Sequence, residues 1–478
     1  MRYKDFESAL CGGMVRTIKQ VLAIAVALLL AGALVGCGPE GDSVSIDATV
    51  HVTVKGLEGS GLVLQNNLRD DLSIPYDGTF SFSKTVSTGS PYSVTIKTPP
   101  SNPSQVCGLV NEKWYASGIV ELNPDISVYV RCVVPVGFTY VANYFSNTLS
   151  AFAVDGSGAM AAIPGSPFAA GKGPRSIAVD PAAGRLYVAN QADGENSVSA
   201  YAVNATNGAL RPLAGSPFAA GLNPASIAIH PSGKFVLVAN SGSHNVSVYA
   251  LNATTGGLQE ISGSPFPAGL GPTSVGFDPG GKFTFVTNGV SNDVSVYAIS
   301  VATGALEQVP GSPFPAGTRP QAFATDPTGQ FAYVANYQSQ DVSAYRIDGG
   351  TGSLTAISGS PFPSVGWPMS LVVAPSGKFA YVGHGAEGIS VYAIDPGTGN
   401  LTPLGPSTTP ASPALVLDPT GTYAYATHPT SDSNHEDAVA AYTVDLVTGA
   451  LTHVDAWPNS WADERVGVGA LAIVLMLK

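Results

Sequence analysis

The hydrophobic positions of this chain recur with a fixed period. A Tyr-Val-Ala-Asn sequence or a variant of it occurs seven times, and the last residues of successive copies are 44 to 50 residues apart. The seven ends are Asn143, Asn190, Asn240, Asn288, Asn336, His384 and His428. A period of this size is typical of repeat architectures, in which each unit buries its apolar face against its neighbours.

Each repeat contains four short runs of Val, Ile, Tyr, Phe and Ala. In one complete unit the runs cover residues 226–229, 235–239, 246–251 and 258–261. Turn residues such as Pro, Gly and Asn separate them. Apolar residues do not recur at a helical spacing over any useful length. Four antiparallel strands in each of seven units predict an all-β fold, a seven-bladed β-propeller over residues 134–478.

The first Tyr-Val-Ala-Asn strand lacks the inner strand that precedes the others. The run at 469–474 is similar to 174–179 in length and in its small apolar residues. We therefore expect the C-terminal strand to complete the first blade and close the ring, which removes an open sheet edge. A membrane tail over residues 466–477 would be too short to span a bilayer.

Composition narrows the range of partners. Charged residues make up 11% of the chain, whereas Gly (55) and Pro (37) are abundant, as a turn-rich β protein requires. The net charge of -12 argues against binding to nucleic acid or to an anionic membrane surface.

Residues 1–36 have a basic segment and an apolar run that ends at Cys37. They resemble a bacterial lipoprotein signal, with Met14 as the better candidate for the initiator. The apolar run of about 14 residues is shorter than the ~20 that a membrane span needs. The resemblance implies lipidation of Cys37 and an extracytoplasmic protein anchored to the cell envelope, at the outer membrane or cell surface. Residues 37–45 read as a tether.

Residues 46–133 show short alternating segments that predict a small β-sandwich. Cys107 and Cys132 are the two cysteines left without a lipid after export, and we expect them to form a disulfide in an oxidising compartment. A metal site at this pair is the alternative, but no histidine lies nearby in the sequence. This domain would hold the propeller away from the membrane.

Strand direction assigns the loops to two faces. The first-to-second and third-to-fourth turns are uniform and share one face. The opposite face, here called the crossover face, carries the second-to-third loops and the segments that lead into the next blade. Sequence variation is concentrated there, and ligand sites usually lie on loops that a rigid scaffold carries.

The Tyr-Val-Ala-Asn strands, the Asp-Pro-x-Gly-Lys turns and the Asn-x-Val-Ser-Val-Tyr strands resemble those of lactonase-type seven-bladed propellers. These include a bacterial 6-phosphogluconolactonase class and YVTN-repeat proteins. The resemblance implies a Pro-Arg-His crossover and an Asn-Glu pair in catalytic members. Here only Arg175 matches, no His follows it, and none of the residues after the repeat Asn or His is Glu. The general acid or base for lactone opening is therefore missing from its expected places.

The remaining candidates on the crossover face are few. Lys172, Arg175 and Arg319 are candidates for binding an anionic ligand, or they are ordinary solvated side chains. Trp367 could stack on a sugar or an aromatic ligand, or simply pack. His384 and His428 replace Asn at a strand end, as weak catalytic candidates or as turn-capping residues.

The seventh second-to-third loop is unusually long and acidic. His428, Asp432, His435 and Glu436 provide side chains that suit a divalent metal, although their spacing matches no established site. Polar surface loops often have this composition. The sequence predicts no cofactor.

Two functions remain open. The absent catalytic residues favour a monomeric propeller that binds a protein partner or a carbohydrate-type ligand without turnover. The alternative is a hydrolase that opens a sugar lactone, a 6-phosphogluconolactonase-like activity that uses Arg175, Arg319 and one histidine in new roles.

Overall fold

The computed structural model describes residues 47–477, apart from 112–116, 121–124, 181, 193, 407–408, 429–437, 455–463 and 466–469. Within this part of the chain the regular structure is entirely β. No helix in it is long and apolar enough to cross a membrane. The predicted signal segment, the tether and Cys37 lie outside the described residues.

The N-terminal strands form two sheets that share one hydrophobic cluster. The strands are β1 Asp47–Lys55, β2 Leu62–Asn66, β3 Asp70–Ile74, β4 Gly78–Ser81, β5 Val86–Ser87, β6 Pro91–Thr98, β7 Val106–Asn111, β8 Ser117–Ile119 and β9 Asp125–Val133. One sheet has the order β4-β1-β9-β7, with β5 on β1, and the other has the order β3-β2-β6-β8. In β1, Ala48, Val50, Val52 and Val54 are fully buried, as period-two alternation predicts.

Cys107 and Cys132 face each other across β7 and β9 and form a disulfide with an S–S distance of 2.01 Å. The neighbouring strand residues Val106 and Val133 belong to a different cluster, the core of the first two blades. Gly108 lies against the backbone of Ala162, where an added Cβ would come within 2.6 Å of the amide nitrogen. The β7 strand therefore packs closely on the outer strand of the first blade.

Seven sheets follow, each built of four main strands. The innermost strands of blades 1 to 7 are β43 Ala470–Leu477, β14 Pro174–Asp180, β19 Pro224–Ile229, β24 Pro272–Phe277, β29 Pro320–Thr325, β34 Pro368–Val373 and β38 Ala414–Leu417. The second strands are β10 Gly137–Asn143, β15 Arg185–Asn190, β20 Phe235–Asn240, β25 Phe283–Asn288, β30 Phe331–Asn336, β35 Phe379–His384 and β39 Tyr423–His428.

The third strands are β11 Thr148–Val154, β16 Ser197–Val203, β21 Asn245–Leu251, β26 Asp293–Ile299, β31 Asp341–Ile347, β36 Ile389–Ile394 and β40 Ala438–Val444. The fourth strands are β12 Met160–Ala162, β17 Leu210–Pro212, β22 Leu258–Glu260, β27 Leu306–Gln308, β32 Leu354–Ala356, β37 Leu401–Pro406 and β41 Leu451–His453. The second strands of blades 1 to 6 are almost wholly buried, which explains their continuous apolar sequence.

The C-terminal strand β43 pairs antiparallel with β10, so blade 1 contains both ends of the propeller region. Each innermost strand contacts the next one along the chain, and β43 contacts both β38 and β14. The buried side chains of Ile473 and Met476 lie in this strand.

Six blades carry a further two-residue strand that pairs with the third strand, which the four-run pattern did not predict. These strands are β13 Phe168–Ala169, β18 Phe218–Ala219, β23 Phe266–Pro267, β28 Phe314–Pro315, β33 Phe362–Pro363 and β42 Glu464–Arg465. The serine of the Ser-Pro-Phe sequence accepts a hydrogen bond from the third strand; Ser264 Oγ, for example, accepts from Val248 N at 2.9 Å. This part of each crossover is therefore fixed to its own blade.

Candidate functional site

The residue that ends each second strand is a buried structural residue. In blades 1 to 5 the Asn side chain is fully buried, and its Nδ2 donates to serine on the third strand, as Asn336 does to Ser343 at 2.9 Å. Crossover glycines pack directly on these amides; a Cβ at Gly317 would lie 2.5 Å from Asn336 Nδ2. The repeat Asn thus fastens the strand end beneath the crossover.

His384 occupies the same position in blade 6. It is fully buried, and its Nε2 lies 2.9 Å from Ser390 Oγ, so the imidazole makes the bond that Asn makes elsewhere. Burial lowers the pKa of His384 to about 4, and the backbone of Trp367 opposes the shift. The ring is therefore neutral at pH 7 and covered, a position that suits support of the strand end better than contact with a ligand.

Arg175 lies at a break in the register of its blade. The pairing of β14 with β15 shifts between Pro174 and Ser176, and such bulges re-aim the side chain they contain. Burial lowers the pKa of the Arg175 guanidinium, Tyr144 raises it, and Arg319 lowers it further. An arginine remains protonated under such a shift, so Arg175 places a positive charge in poorly solvated surroundings beside a phenol and a second guanidinium.

Arg319 immediately precedes β29 and has a left-handed backbone, with φ at 58°. Two of the other crossovers use glycine in this place, Gly173 and Gly271, and a third uses Asn223. A non-glycine residue there costs roughly 1–2 kcal/mol of backbone strain. Asn292 Oδ1 accepts from the Arg319 amide at 2.8 Å and helps to hold this conformation. Strain of this kind is often found at functional sites.

An aromatic stack continues from Arg319. Its guanidinium carbon lies 4.9 Å from the ring centroid of Tyr337, which suits a cation–π contact. Tyr337 in turn stacks on Trp367, with centroids 6.0 Å apart and planes inclined by 22°. The indole is 45% exposed, so part of it is free to meet a ligand. We call Tyr144, Arg175, Arg319, Tyr337 and Trp367 the crossover cluster.

The crossover cluster joins blades that are not neighbours. Arg175 belongs to blade 2 and Arg319 to blade 5, so the electrostatic effect of Arg319 on Arg175 acts between blades that are not adjacent. Among the described residues the only ion pair joins Lys97 to Asp71, far away in the N-terminal sheets. The two guanidiniums consequently lack a carboxylate partner within that part of the chain.

Three further polar residues of this face have different settings. Lys172 is exposed, and its carbonyl accepts from Ala192 N at 3.1 Å. Glu387, in the second-to-third loop of blade 6, lies against Gly366, where an added Cβ would come within 2.0 Å of Oε2. For His428 the structure describes the backbone pairing with Ala438 and not the side chain.

Asp432, His435 and Glu436 lie outside the described residues, so the predicted metal loop stays a prediction. In the remainder of the chain no group of three or more His, Cys, Asp or Glu side chains is placed to hold a metal ion.

Sequence reasoning missed Tyr144, Tyr337 and Glu387 as members of this face. Tyr144 and Tyr337 both follow a repeat Asn directly, at positions inspected only for glutamate. Two aromatic residues at one repeat position were a usable signal. Glu387 comes three residues after His384 rather than next to it, so a search at fixed spacing passed over it.

Comparison with known families agrees with this architecture. The model of the lactonase family, described as a seven-bladed β-propeller, matches residues 132–220, 195–277 and 266–373, which together make up half of the chain. The chain belongs to this lactonase family. Its three matched segments include Arg175, Arg319 and Trp367, and therefore much of the crossover cluster.

Solved structures show the same fold at low sequence identity. A putative 6-phosphogluconolactonase from Bacteroides uniformis is 20% identical, with a TM-score of 0.61 over 71% of this chain and 99% of that one. A second one, from Bacteroides fragilis, is 19% identical, with a TM-score of 0.61 over 71% of this chain and 98% of its own. A periplasmic gluconolactonase of Pseudomonas aeruginosa is 19% identical, with a TM-score of 0.57 over 71% and 99%. No curated protein matches the chain.

Proposed function

We propose that this lactonase-family propeller binds an anionic carbohydrate, of the sugar-acid class, at the crossover cluster. The observation that carries the proposal is the pair of guanidiniums, Arg175 and Arg319, which interact electrostatically and have no carboxylate partner among the described residues. The repulsion between them and the burial of Arg175 both favour a bound anion, because an anion offsets the charge and supplies hydrogen-bond acceptors. Arginine also matches a carboxylate in a two-pronged geometry.

The aromatic side of the cluster supplies the second half of the recognition. Trp367 is partly exposed and stacked on Tyr337, so its ring is held in a fixed orientation. A rigid aromatic face beside polar groups suits the apolar face of a sugar ring. The anion would meet the arginines while the ring rests on the indole.

Calorimetric titration with gluconate, glucuronate and glucose tests this proposal. The acids should bind and glucose should bind at least about tenfold more weakly, since a lost charged hydrogen bond costs about 1.5–3 kcal/mol. Arg175→Met and Arg319→Gln should each weaken acid binding by a similar factor. Arg211→Gln, an exposed arginine on blade 2, serves as the matched control. Equal affinity for glucose and gluconate would refute the proposal.

Lactone hydrolysis is the second candidate function. The family assignment favours it, and Glu387 provides a carboxylate on the same face that the sequence search had missed. A sugar lactone resembles a sugar acid, so one cluster suits both. Turnover of glucono-δ-lactone above the spontaneous rate, lost in Arg175→Ala and Glu387→Gln, would make the protein an enzyme. Rates at background throughout would leave the binding function.

The cellular setting completes the proposal. Lipidation of Cys37 would anchor the protein to the bacterial cell envelope on its extracytoplasmic side, with residues 46–133 as a sandwich domain between membrane and propeller. The signal-like sequence before Cys37 supports this. Metabolic labelling with a fatty acid, lost in Cys37→Ser, tests the anchor; unlabelled wild-type protein would exclude it.

A further inference from the structure

A second feature lies on the face opposite the crossovers and begins with a set of tyrosines. Four second-strand tyrosines donate a hydrogen bond to a glycine carbonyl in the third-to-fourth turn of the next blade. They are Tyr140 to Gly208 at 2.8 Å, Tyr187 to Gly256 at 2.9 Å, Tyr333 to Gly399 at 3.0 Å and Tyr381 to Gly449 at 3.0 Å. Each of these side chains is fully buried, so the bond satisfies a hydroxyl that water does not reach.

Tyr425 is the corresponding residue of blade 7, and its turn is different. The turn of blade 1 runs from Asp155 to Ala159, with Asp155 N donating to Ala159 O at 3.0 Å. The matching turn of blade 7 runs from Asp445 to Ala450 and is one residue longer. The shorter turn no longer brings a glycine carbonyl to Tyr425.

Tyr423, two residues before Tyr425, makes a hydrogen bond to this turn instead. Tyr423 Oη donates to Gly156 O at 3.0 Å, and Gly158 still packs on the Tyr423 ring as Gly449 packs on Phe379. Tyr425 is only 1% exposed, yet no hydrogen bond to its hydroxyl is found within the described residues. Its oxygen is not among the fully buried polar atoms that lack a partner, so the small exposed part of the side chain includes the hydroxyl, which is open to water or to a ligand.

Tyr425 lines a cavity of about 490 Å³ between blades 7 and 1. The charged groups of its described lining are Asp155 and Asp418, and that lining contains no Lys, Arg or His. Asp418 is held in place because Oδ1 accepts from Tyr423 N at 2.7 Å. Asp155 is held likewise, since Oδ1 accepts from Ser157 N at 2.9 Å and from Ala159 N at 3.0 Å.

We propose that this cavity binds the primary ammonium group of a ligand. Two fixed carboxylates give the cavity a negative potential, and the free lone pairs of Tyr425 and of Asp155 Oδ2 supply acceptors. An ammonium group brings the opposite charge and three donors, which match this set. A neutral polyol could donate hydrogen bonds to the acceptors but would gain no electrostatic attraction to the two carboxylates. The Tyr423 ring and the aliphatic Val136, Val154 and Leu475 would cover the carbon part of the ligand.

Titration of the purified protein with n-butylammonium chloride, and with n-butanol as the uncharged match, tests the proposal. Glucosamine against glucose, and an N-acetyl-lysine amide with a free side-chain amine, separate an amino sugar from a lysine as the natural source. We expect saturable binding of at least one amine, and binding at least about tenfold weaker for its uncharged match. Equal binding of the charged and uncharged members, or no saturable amine binding, would overturn the proposal.

Two variants assign the binding to this cavity. Tyr425→Phe removes a hydroxyl that has no described partner, and Asp155→Asn removes one charge. The second should fold, because Asn204 and Asn252 already fill that turn position in blades 2 and 3 and accept the same backbone bond. Both should weaken amine binding by about tenfold or more, whereas Tyr381→Phe should leave it unchanged. Amine binding that survives in both cavity variants lies elsewhere and refutes the assignment.

Discussion

The regular blades and the junction of blades 7 and 1 are built from one repeat but are completed differently. Between blades 5 and 6, Tyr333 is satisfied by the turn of the following blade. At the junction the corresponding tyrosine, Tyr425, meets a turn that is one residue shorter, and a cavity lies beside it. In a repeat fold each unit supplies the partners of the unit before it. A single change in length therefore exposes polar groups of the neighbouring blade.

On the crossover face too, one repeat departs from the others, but the departure is in a side chain and not in the length of a turn. Gly173 and Gly271 allow a left-handed backbone without strain, whereas Arg319 adopts it with a long side chain attached. That departure places a positive charge beside the Tyr337 ring in the crossover cluster. Both proposed sites thus lie where one unit differs from its copies.

The largest effect on stability is expected when β43 is removed, the strand by which the chain returns to blade 1. Truncation before Ala470 deletes the innermost strand of that blade, leaves β10 with an unpaired edge, and removes the buried Ile473 and Met476. We expect loss of cooperative unfolding in a thermal melt, because the exposed strand becomes an open edge. Deletion of Lys478 alone is the control. A truncated protein that melts like the full chain would show that the junction does not depend on β43.

Blades 5 and 6 offer the next test, since Asn336 and His384 fill the same place. Between pH 6.5 and about 4 the unfolded chain protonates His384 while the folded chain keeps it neutral. The free energy of unfolding therefore falls as the pH falls through this window, by on the order of 3 kcal/mol in total. This contribution is fully present above pH 6.5.

Urea unfolding of wild type and His384→Asn at pH 4.5 to 7.5 measures this term. Other groups titrate alike in both proteins, so the difference between the two curves isolates His384. We expect the advantage of the histidine protein to shrink as the pH falls. Parallel curves would mean that His384 has the same pKa in the folded and the unfolded chain, so that its ring is accessible, and would reopen its catalytic role.

Arg319→Gly should separate stability from binding. Glycine relieves the left-handed strain that Arg319 bears, at the cost of greater freedom in the unfolded chain and of the contact with Tyr337. We expect the variant to be more stable by up to about 1 kcal/mol and to bind sugar acids more weakly. Asn223→Gly, at another positive-φ crossover position, should change stability only. Denaturant unfolding and calorimetry provide the two measurements.

The sequence predicted the fold to the extent that the fold repeats. The 44- to 50-residue period, the turn residues and the alternation in β1 gave the strands and their order. The two-residue strands such as β23 were not predicted, because two residues are too few to show a periodic pattern. Arg175 and Arg319 were singled out separately, but their proximity depends on a ring that places blade 2 opposite blade 5. The shorter turn at Asp155 can be seen in the sequence. Its effect on Tyr425 could not be predicted, because it is recognised only once the hydrogen bond from Tyr381 to the turn of the next blade is known.

The smallest expected effect on the free energy of unfolding compares the same substitution, Tyr to Phe, in a regular blade and at the junction of blades 7 and 1. Tyr381→Phe deletes a buried hydrogen bond to Gly449 O and should lower the free energy of unfolding by about 1 kcal/mol. Tyr425→Phe deletes no described bond and should leave the free energy of unfolding nearly unchanged. Insertion of Thr between Ser157 and Gly158 would give blade 1 the turn length of blade 7. A carbonyl would then reach Tyr425, so Tyr425→Phe should become costly in that background alone. If both tyrosines cost the same in the wild-type background, the hydroxyl of Tyr425 is already satisfied and the ammonium site loses its basis.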